Sequence, residues 1–199
     1  MAEIMNNSYI LERLREEIES VVGNTRLVQE TDLPNLLYLQ ATIKEGLRLH
    51  PLVPLVLRTV QEGCTIGGFY VPKKTTLVVN GYAIMRDPDN WEDPLEFKPE
   101  RFLDSSRSSQ KDAIKEEVLN YIPFGSGRRG CPGANLAYVS VGTSIGVMVQ
   151  CFDWKIKGDK INMNEAPGKI SLTMAHPLKC TLVPRTLIPL ASSLHMSNS

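Results

Sequence analysis

The sequence predicts a helix-rich α+β chain, with small antiparallel sheets set between longer helices. Three observations carry this prediction. Two segments near the N-terminus space their apolar residues for helices. A run from Ala134 to Phe152 has neither proline nor charge. The segments between them are short β-branched runs broken by turn residues.

Each element follows in order. Asn7 to Val22 places Ile10, Leu11, Leu14, Ile18 and Val21 on one stripe. Arg13–Glu17 and Arg15–Glu19 are opposite charges four apart on the other face. Gly23-Asn24 ends this helix. A second helix covers Asn35 to Leu49 and is spaced to bury Leu36, Leu39, Ile43 and Leu47. His50-Pro51 closes it, because proline cannot continue a helix and restricts the residue before it. Leu57 to Val60, Cys64 to Ile66 and Phe69 to Val71 read as short strands, with Gly67-Gly68 as a tight hairpin turn. Thr75 to Asn80 is β-branched and pairs nearby. Arg86 to Arg101 is turn-rich, with Pro88, Pro94 and Pro99. Ser105 to Lys111 is polar and reads as a surface loop. Ala134 to Phe152 reads as a buried helix. Trp154 to Lys157, Lys169 to Met174 and Leu178 to Val183 read as a terminal β region, followed by a frayed tail.

The chain has 199 residues and a formal net charge of zero, so nothing in it favours a nucleic-acid partner. Its four cysteines, Cys64, Cys131, Cys151 and Cys180, form no C-x-x-C pair, which removes the usual zinc and iron–sulfur spacings. His50, His176 and His195 are scattered. No secretory signal is evident, so reduced thiols are expected. The apolar stretches, such as Val53 to Leu57, are too short to span a bilayer, and no membrane anchor is expected in this chain.

The stretch FGSGRRGCPG, Phe124 to Gly133, admits two readings. Gly125, Gly127 and Gly130 satisfy G-x-G-x-x-G, a phosphate cradle in a nucleotide-binding module. That cradle needs a preceding strand and a β-α-β unit, and Pro123 disfavours the strand. The other reading presents a sulfur. Glycines let the backbone approach a flat cofactor, and Cys131 falls just before a helix whose N-terminus favours thiolate. Arg129 adds positive charge two residues earlier.

The bend matches F-x-x-G-x-R-x-C-x-G through Phe124, Gly127, Arg129, Cys131 and Gly133, and so resembles the haem-binding signature of the cytochrome P-450 superfamily. Glu45-Gly46-Leu47-Arg48 resembles the family's E-x-x-R, and Pro99-Glu100-Arg101-Phe102 its P-E-R-F. The wording of the bend is similar to the plant A-type branch. The resemblance implies the C-terminal part of the cytochrome P-450 fold over residues 1–184, with 185–199 as a disordered tail.

On this resemblance, Cys131 is the axial ligand of the iron in haem b. Arg58 and Arg129 pair with haem propionates. Glu45, Arg48 and Arg101 form a bracing network. Leu52, Val53, Val56, Leu172 and Thr173 touch substrate, within Leu52 to Leu57 and Ser171 to Met174. Arg128 faces an electron donor. A thiolate ligand favours O–O cleavage, so the implied reaction inserts one oxygen atom from O2 into a small hydrophobic substrate. Electrons come from NADPH through NADPH–cytochrome P-450 reductase. Full-length relatives sit on the cytosolic face of the endoplasmic reticulum membrane; this chain, lacking an anchor, is expected to be soluble or unstable. The family's long central helix with its acid–threonine pair, and its W-x-x-x-R helix, find no match here. The chain therefore resembles a truncated member, expected to bind haem weakly or not at all and to be inactive alone. The alternatives are a non-catalytic haem-binding fragment and, more remotely, a nucleotide-binding module.

Overall fold

The computed structural model describes residues 1–103, 119–166 and 171–185. Ser105 to Lys111 and the tail beyond Arg185 lie outside them. Helix α1 is Ala2–Asn6, α2 is Ser8–Val22 and α3 is Leu37–Leu49. Four strands follow, β1 Leu55–Thr59, β2 Cys64–Ile66, β3 Phe69–Val71 and β4 Thr76–Asn80, then the short α4, Gly81–Ile84. The long helix α5 is Ala134–Cys151, and β5 Phe152–Ile156 and β6 Cys180–Pro184 complete the order. The sheets are antiparallel pairs, β1 with β4, β2 with β3 and β5 with β6. Leu55 faces Asn80 and Thr59 faces Thr76 at the two ends of the first pair. Gly67 and Gly68, both with positive φ, make the β2–β3 turn.

The core lies where α2, α3 and α5 meet. Ile10, Leu14, Ile18 and Val22 of α2 pack with Leu36, Leu39 and Ile43, and with Val149 of α5. Fully burying one such aliphatic side chain stabilises by about 1.5–3 kcal/mol. The stripe of α2 thus closes on Val22 and not Val21, which is exposed, while Leu11 and Leu47 are half-buried. An advance of four residues from Ile18 keeps Val22 on the buried side.

Close approach of α5 rests on two glycines. A Cβ built on Gly142 would stand 3.1 Å from the Leu33 side chain, and one on Gly146 would stand 3.1 Å from Val28. Among the described residues, one side of α5 is covered. Gly142, Gly146, Val149 and Cys151 are buried, whereas Leu136, Val141 and Met148 are exposed, so this is not the wholly buried helix that its composition predicts. The helix is 18 residues long and, by length and composition alone, is long and apolar enough to cross a membrane, unlike Val53 to Leu57.

The charge pairs predicted within α2 do not form. Arg13 donates to Glu100 at 2.8 Å, and Arg15 donates to Asp153 at 2.7 Å. Glu17 instead accepts the N–H groups of Tyr38 and Leu39, at 2.7 and 2.9 Å. Those are unpaired donors of the first turn of α3, whose N-cap residue Leu36 has no side chain able to accept them. A 3-10 helix over Glu30–Asn35 takes the place of the predicted start of α3. Ser171 to Met174 forms no strand; Met174 makes only an isolated antiparallel bridge to Glu165. Lys169 lies outside the described residues.

Candidate functional site

The end of α3 carries a buried ion pair. Glu45 and Arg48 are three apart, so their side chains share one helix face. Arg48 Nε and Nη2 donate to the two Glu45 oxygens at 2.7 and 2.9 Å. Both side chains are 0% exposed. Burial at this level demands that remaining donors find acceptors. Arg48 Nη1 donates to the Met85 and Pro94 carbonyls at 2.7 and 2.8 Å. Arg101, within the 3-10 helix Pro99–Phe102, donates from Nε to Glu45 at 3.0 Å. The Lys98 N–H adds a fourth donor to the same carboxylate at 2.9 Å. Glu45, Arg48 and Arg101 therefore meet. The Trp91 ring, under the Arg48 guanidinium at 5.1 Å, and the carbonyl acceptors are partners that no sequence spacing singles out.

The cysteine bend is closed by backbone hydrogen bonds. The Cys131 N–H donates to the Phe124 carbonyl at 2.9 Å, and Gly130 N–H to the Gly127 carbonyl at 3.0 Å. Gly125 and Gly127 have φ of +74° and +69°, which side chains larger than hydrogen resist. The Cys131 thiol is exposed. A Cβ on Gly133 would stand 3.8 Å from its sulfur. The Arg58 guanidinium, reaching over from β1, donates from Nη2 to the Arg129 carbonyl at 3.2 Å. Arg58, Arg129 and Cys131 are each exposed, and Phe124, partly buried, meets the Tyr138 ring edge-on at 5.3 Å between centroids. Arg128 is exposed.

The segments expected to touch substrate separate into two groups. The Leu172 N–H donates to the Leu52 carbonyl at 2.9 Å, which joins the two stretches. Leu172 and Thr173 line a cavity of about 300 Å³ between α1, α3 and α5. Leu52, Val53 and Val56 do not line it; Leu52 and Val53 are exposed. His50 Nε2 meets Glu3 Oε1 at 2.7 Å at the wall of this cavity, a contact between α1 and the end of α3 that neither residue's local sequence signals.

The phosphate-cradle reading needs a strand before the bend and a parallel β-α-β unit. Leu119 to Phe124 contains no strand, and each sheet among the described residues is an antiparallel pair.

A helix-rich fold with small antiparallel sheets, a buried Glu–Arg pair and a cysteine on a glycine bend together describe a portion of the cytochrome P450 fold. The sequence pattern described as Cytochrome P450 matches residues 1–182, and the chain belongs to that family. Its relatives include Cytochrome P450 705A1 of Arabidopsis thaliana, 71% identical over 184 residues, and 3,9-dihydroxypterocarpan 6A-monooxygenase of Glycine max, 48% identical over 187 residues. These alignments cover 92% and 93% of this chain but 36% of each relative, so the chain spans about a third of their length. Among solved structures, a zebra fish cytochrome P450 with progesterone superposes at a TM-score of 0.79 and 29% identity, over 92% of this chain and 40% of that one. The zebra fish protein with abiraterone gives a TM-score of 0.77 at 28% identity, over 93% and 42%.

Proposed function

We propose that this chain supplies the cysteine-bearing side of a haem-thiolate monooxygenase site, with Cys131 as the axial iron ligand. The observation that carries the reading is an exposed cysteine on a glycine bend to which the Arg58 guanidinium donates at the Arg129 carbonyl. A flat anionic cofactor suits these residues. Gly133 adds no side chain next to the sulfur; a Cβ there would stand 3.8 Å from it, in ordinary contact. A thiolate-ligated haem supplies oxygen activation when bound.

The chain's own residues then bind and orient. Arg58 and Arg129 pair with the two haem propionates. Of the five N–H donors on a guanidinium, Arg58 commits one to the Leu57 carbonyl and one to Arg129, which fixes its plane and leaves donors for a carboxylate. Phe124 and Gly127 shape the bend. The Glu45–Arg48–Arg101 network braces the segments on which the bend rests. Leu52, Val53, Val56, Leu172 and Thr173 provide apolar contact for a small hydrophobic substrate. The printed names of two relatives, the 6A-monooxygenase above and Beta-amyrin 24-hydroxylase of Glycine max, suit oxygen insertion into such molecules. Electrons from NADPH arrive through a separate reductase docking near Arg128, at the cytosolic face of the endoplasmic reticulum membrane.

On this reading the isolated chain binds haem weakly or not at all and does not turn over, and its exposed Leu52, Leu55, Leu57 and Leu136 are a liability for association. The test is a haem titration of the 199-residue chain followed by reduction under CO. A fractional thiolate-type red shift of the Soret band, lost in Cys131→Ser, is expected. A Soret band identical in Cys131→Ser and the parent chain would remove Cys131 from the iron.

A further inference from the structure

A path of contacts joins the Cys131 bend to the buried Glu45–Arg48 pair. Tyr138 stands four residues into α5, and its ring meets Phe124 edge-on at 5.3 Å between centroids. Phe124 supplies the carbonyl that the Cys131 N–H bonds. The Tyr138 hydroxyl is 2.8 Å from the Tyr121 hydroxyl, which is 3.2 Å from the carbonyl of Lys44, the neighbour of Glu45. The Tyr121 ring also meets Phe102 edge-on at 5.1 Å, and Phe102 lies 5.9 Å from Trp91, beneath the Arg48 guanidinium.

Counting protons orients the pair. Each phenol has one proton, and a carbonyl only accepts. The Tyr121 proton is therefore committed to Lys44, and Tyr138 must donate to Tyr121. Burial pushes both phenols above their ordinary range, so both keep their protons at neutral pH.

We propose that Tyr121 and Tyr138 are positioning residues for Cys131. The ordered relay from Tyr138 to Tyr121 to the Lys44 carbonyl ties α5 and the bend to α3. The Tyr138 ring seats Phe124, so that the bend closes with its sulfur outward. The functional meaning rests on Cys131 being the iron ligand; the geometry itself can be tested without haem.

The direction of the relay makes the two tyrosines unequal. Tyr138→Phe removes a donor and leaves Tyr121 bonded to Lys44. Tyr121→Phe leaves the Tyr138 proton with no acceptor in a part-buried place, the costlier fault. Amide hydrogen exchange on the full chain reads this at Cys131, with Leu14 in the core as control. Tyr121→Phe is expected to speed Cys131 exchange about tenfold and Tyr138→Phe about two- to fivefold, with Leu14 unchanged. Equal acceleration at Leu14, or a larger effect from Tyr138→Phe, overturns the relay. In the haem-titrated chain, Tyr121→Phe is expected to move the ferrous CO spectrum from the thiolate-ligated toward the thiol-ligated form. The double variant Tyr121→Phe with Tyr138→Phe, which removes the orphaned proton, is expected to recover part of it. An unchanged ratio in Tyr121→Phe overturns the positioning role. Loss of the ligand reading has a different signature, a Soret band indifferent to Cys131→Ser while the exchange pattern stands.

Discussion

Arg48 holds both carboxylate oxygens of Glu45, at 2.7 and 2.9 Å, with neither side chain touching solvent. A pair so placed is hard to dismantle from one side, because either partner alone is an uncompensated buried charge. Glu45→Ala leaves two arginines, Arg48 and Arg101, facing a void. The expected destabilisation is about 3–5 kcal/mol, read as a lower urea midpoint with unchanged slope. A loss below about 1 kcal/mol would mean that water replaces the carboxylate and that the network is not a brace.

Glu17 is a helix cap delivered from another helix. Removing it in Glu17→Ala is expected to cost about 1–2 kcal/mol, the range for a lost cap. A double-mutant cycle of Arg13→Ala with Glu17→Ala should give coupling near zero, since Arg13 bonds Glu100 and Glu17 bonds the Tyr38 and Leu39 amides. Coupling of about 0.3–0.5 kcal/mol, the size of an intrahelical ion pair, would favour the pairing suggested by spacing alone.

Gly142 lets α5 approach Leu33 and Ile43. A Cβ there would stand 3.1 Å from the Leu33 side chain and 3.4 Å from Ile43. Gly142→Leu is expected to destabilise by about 1–3 kcal/mol through overpacking, although leucine is the better helix former. The same substitution at Gly158, where nothing lies within 4 Å but φ is +97°, tests strain without packing. Thermal unfolding of the two variants separates the causes. Loss of stability only at Gly158 would contradict the tight helix contact.

Asp32 links stability to pH. The Arg26 guanidinium, at 2.6 and 2.7 Å from its two oxygens, holds the carboxyl down to about 2, with help from the Gln29 N–H at 2.9 Å. A folded-state value below the ordinary 3.8 means that this carboxylate stabilises the fold above about pH 4. That contribution is lost as pH falls from about 4 toward 2. Acid titration of Asp32→Asn, monitored by circular dichroism, should show a flatter limb in this window than the parent chain. Identical limbs would show that the pair does not form in solution.

The order of helices and hairpins was legible in the chain because those elements depend on local spacing. The β2–β3 hairpin follows Gly67-Gly68 residue for residue. The helix ahead of Gly23 and the one ahead of Pro51 end where those residues require. The residues of the candidate site were legible for a related reason. A glycine bend around Cys131 and a three-residue step from Glu45 to Arg48 are patterns that sequence displays directly.

What sequence left open was partnership. Arg13 and Glu17, like Arg15 and Glu19, sit at ion-pair spacing on α2, yet Arg13, Arg15 and Glu17 each serve a different element of the fold. A flexible charged side chain gains only tenths of a kcal/mol from a neighbour on its own exposed helix, so contacts with other elements, such as the part-buried amides that Glu17 accepts, readily outcompete it. Tyr121 and Tyr138 carry no motif at all, and only the folding of the segment before the bend against α5 brings their hydroxyls to 2.8 Å. Composition likewise marked α5 as apolar, but packing decided that one side is covered and the other, with Leu136 and Val141, stays open. Local periodicity determined which segments are helix or strand; the tertiary structure alone determined which polar atoms meet, because hydrogen bonds and close packing are decided over a few ångströms between residues far apart in the chain.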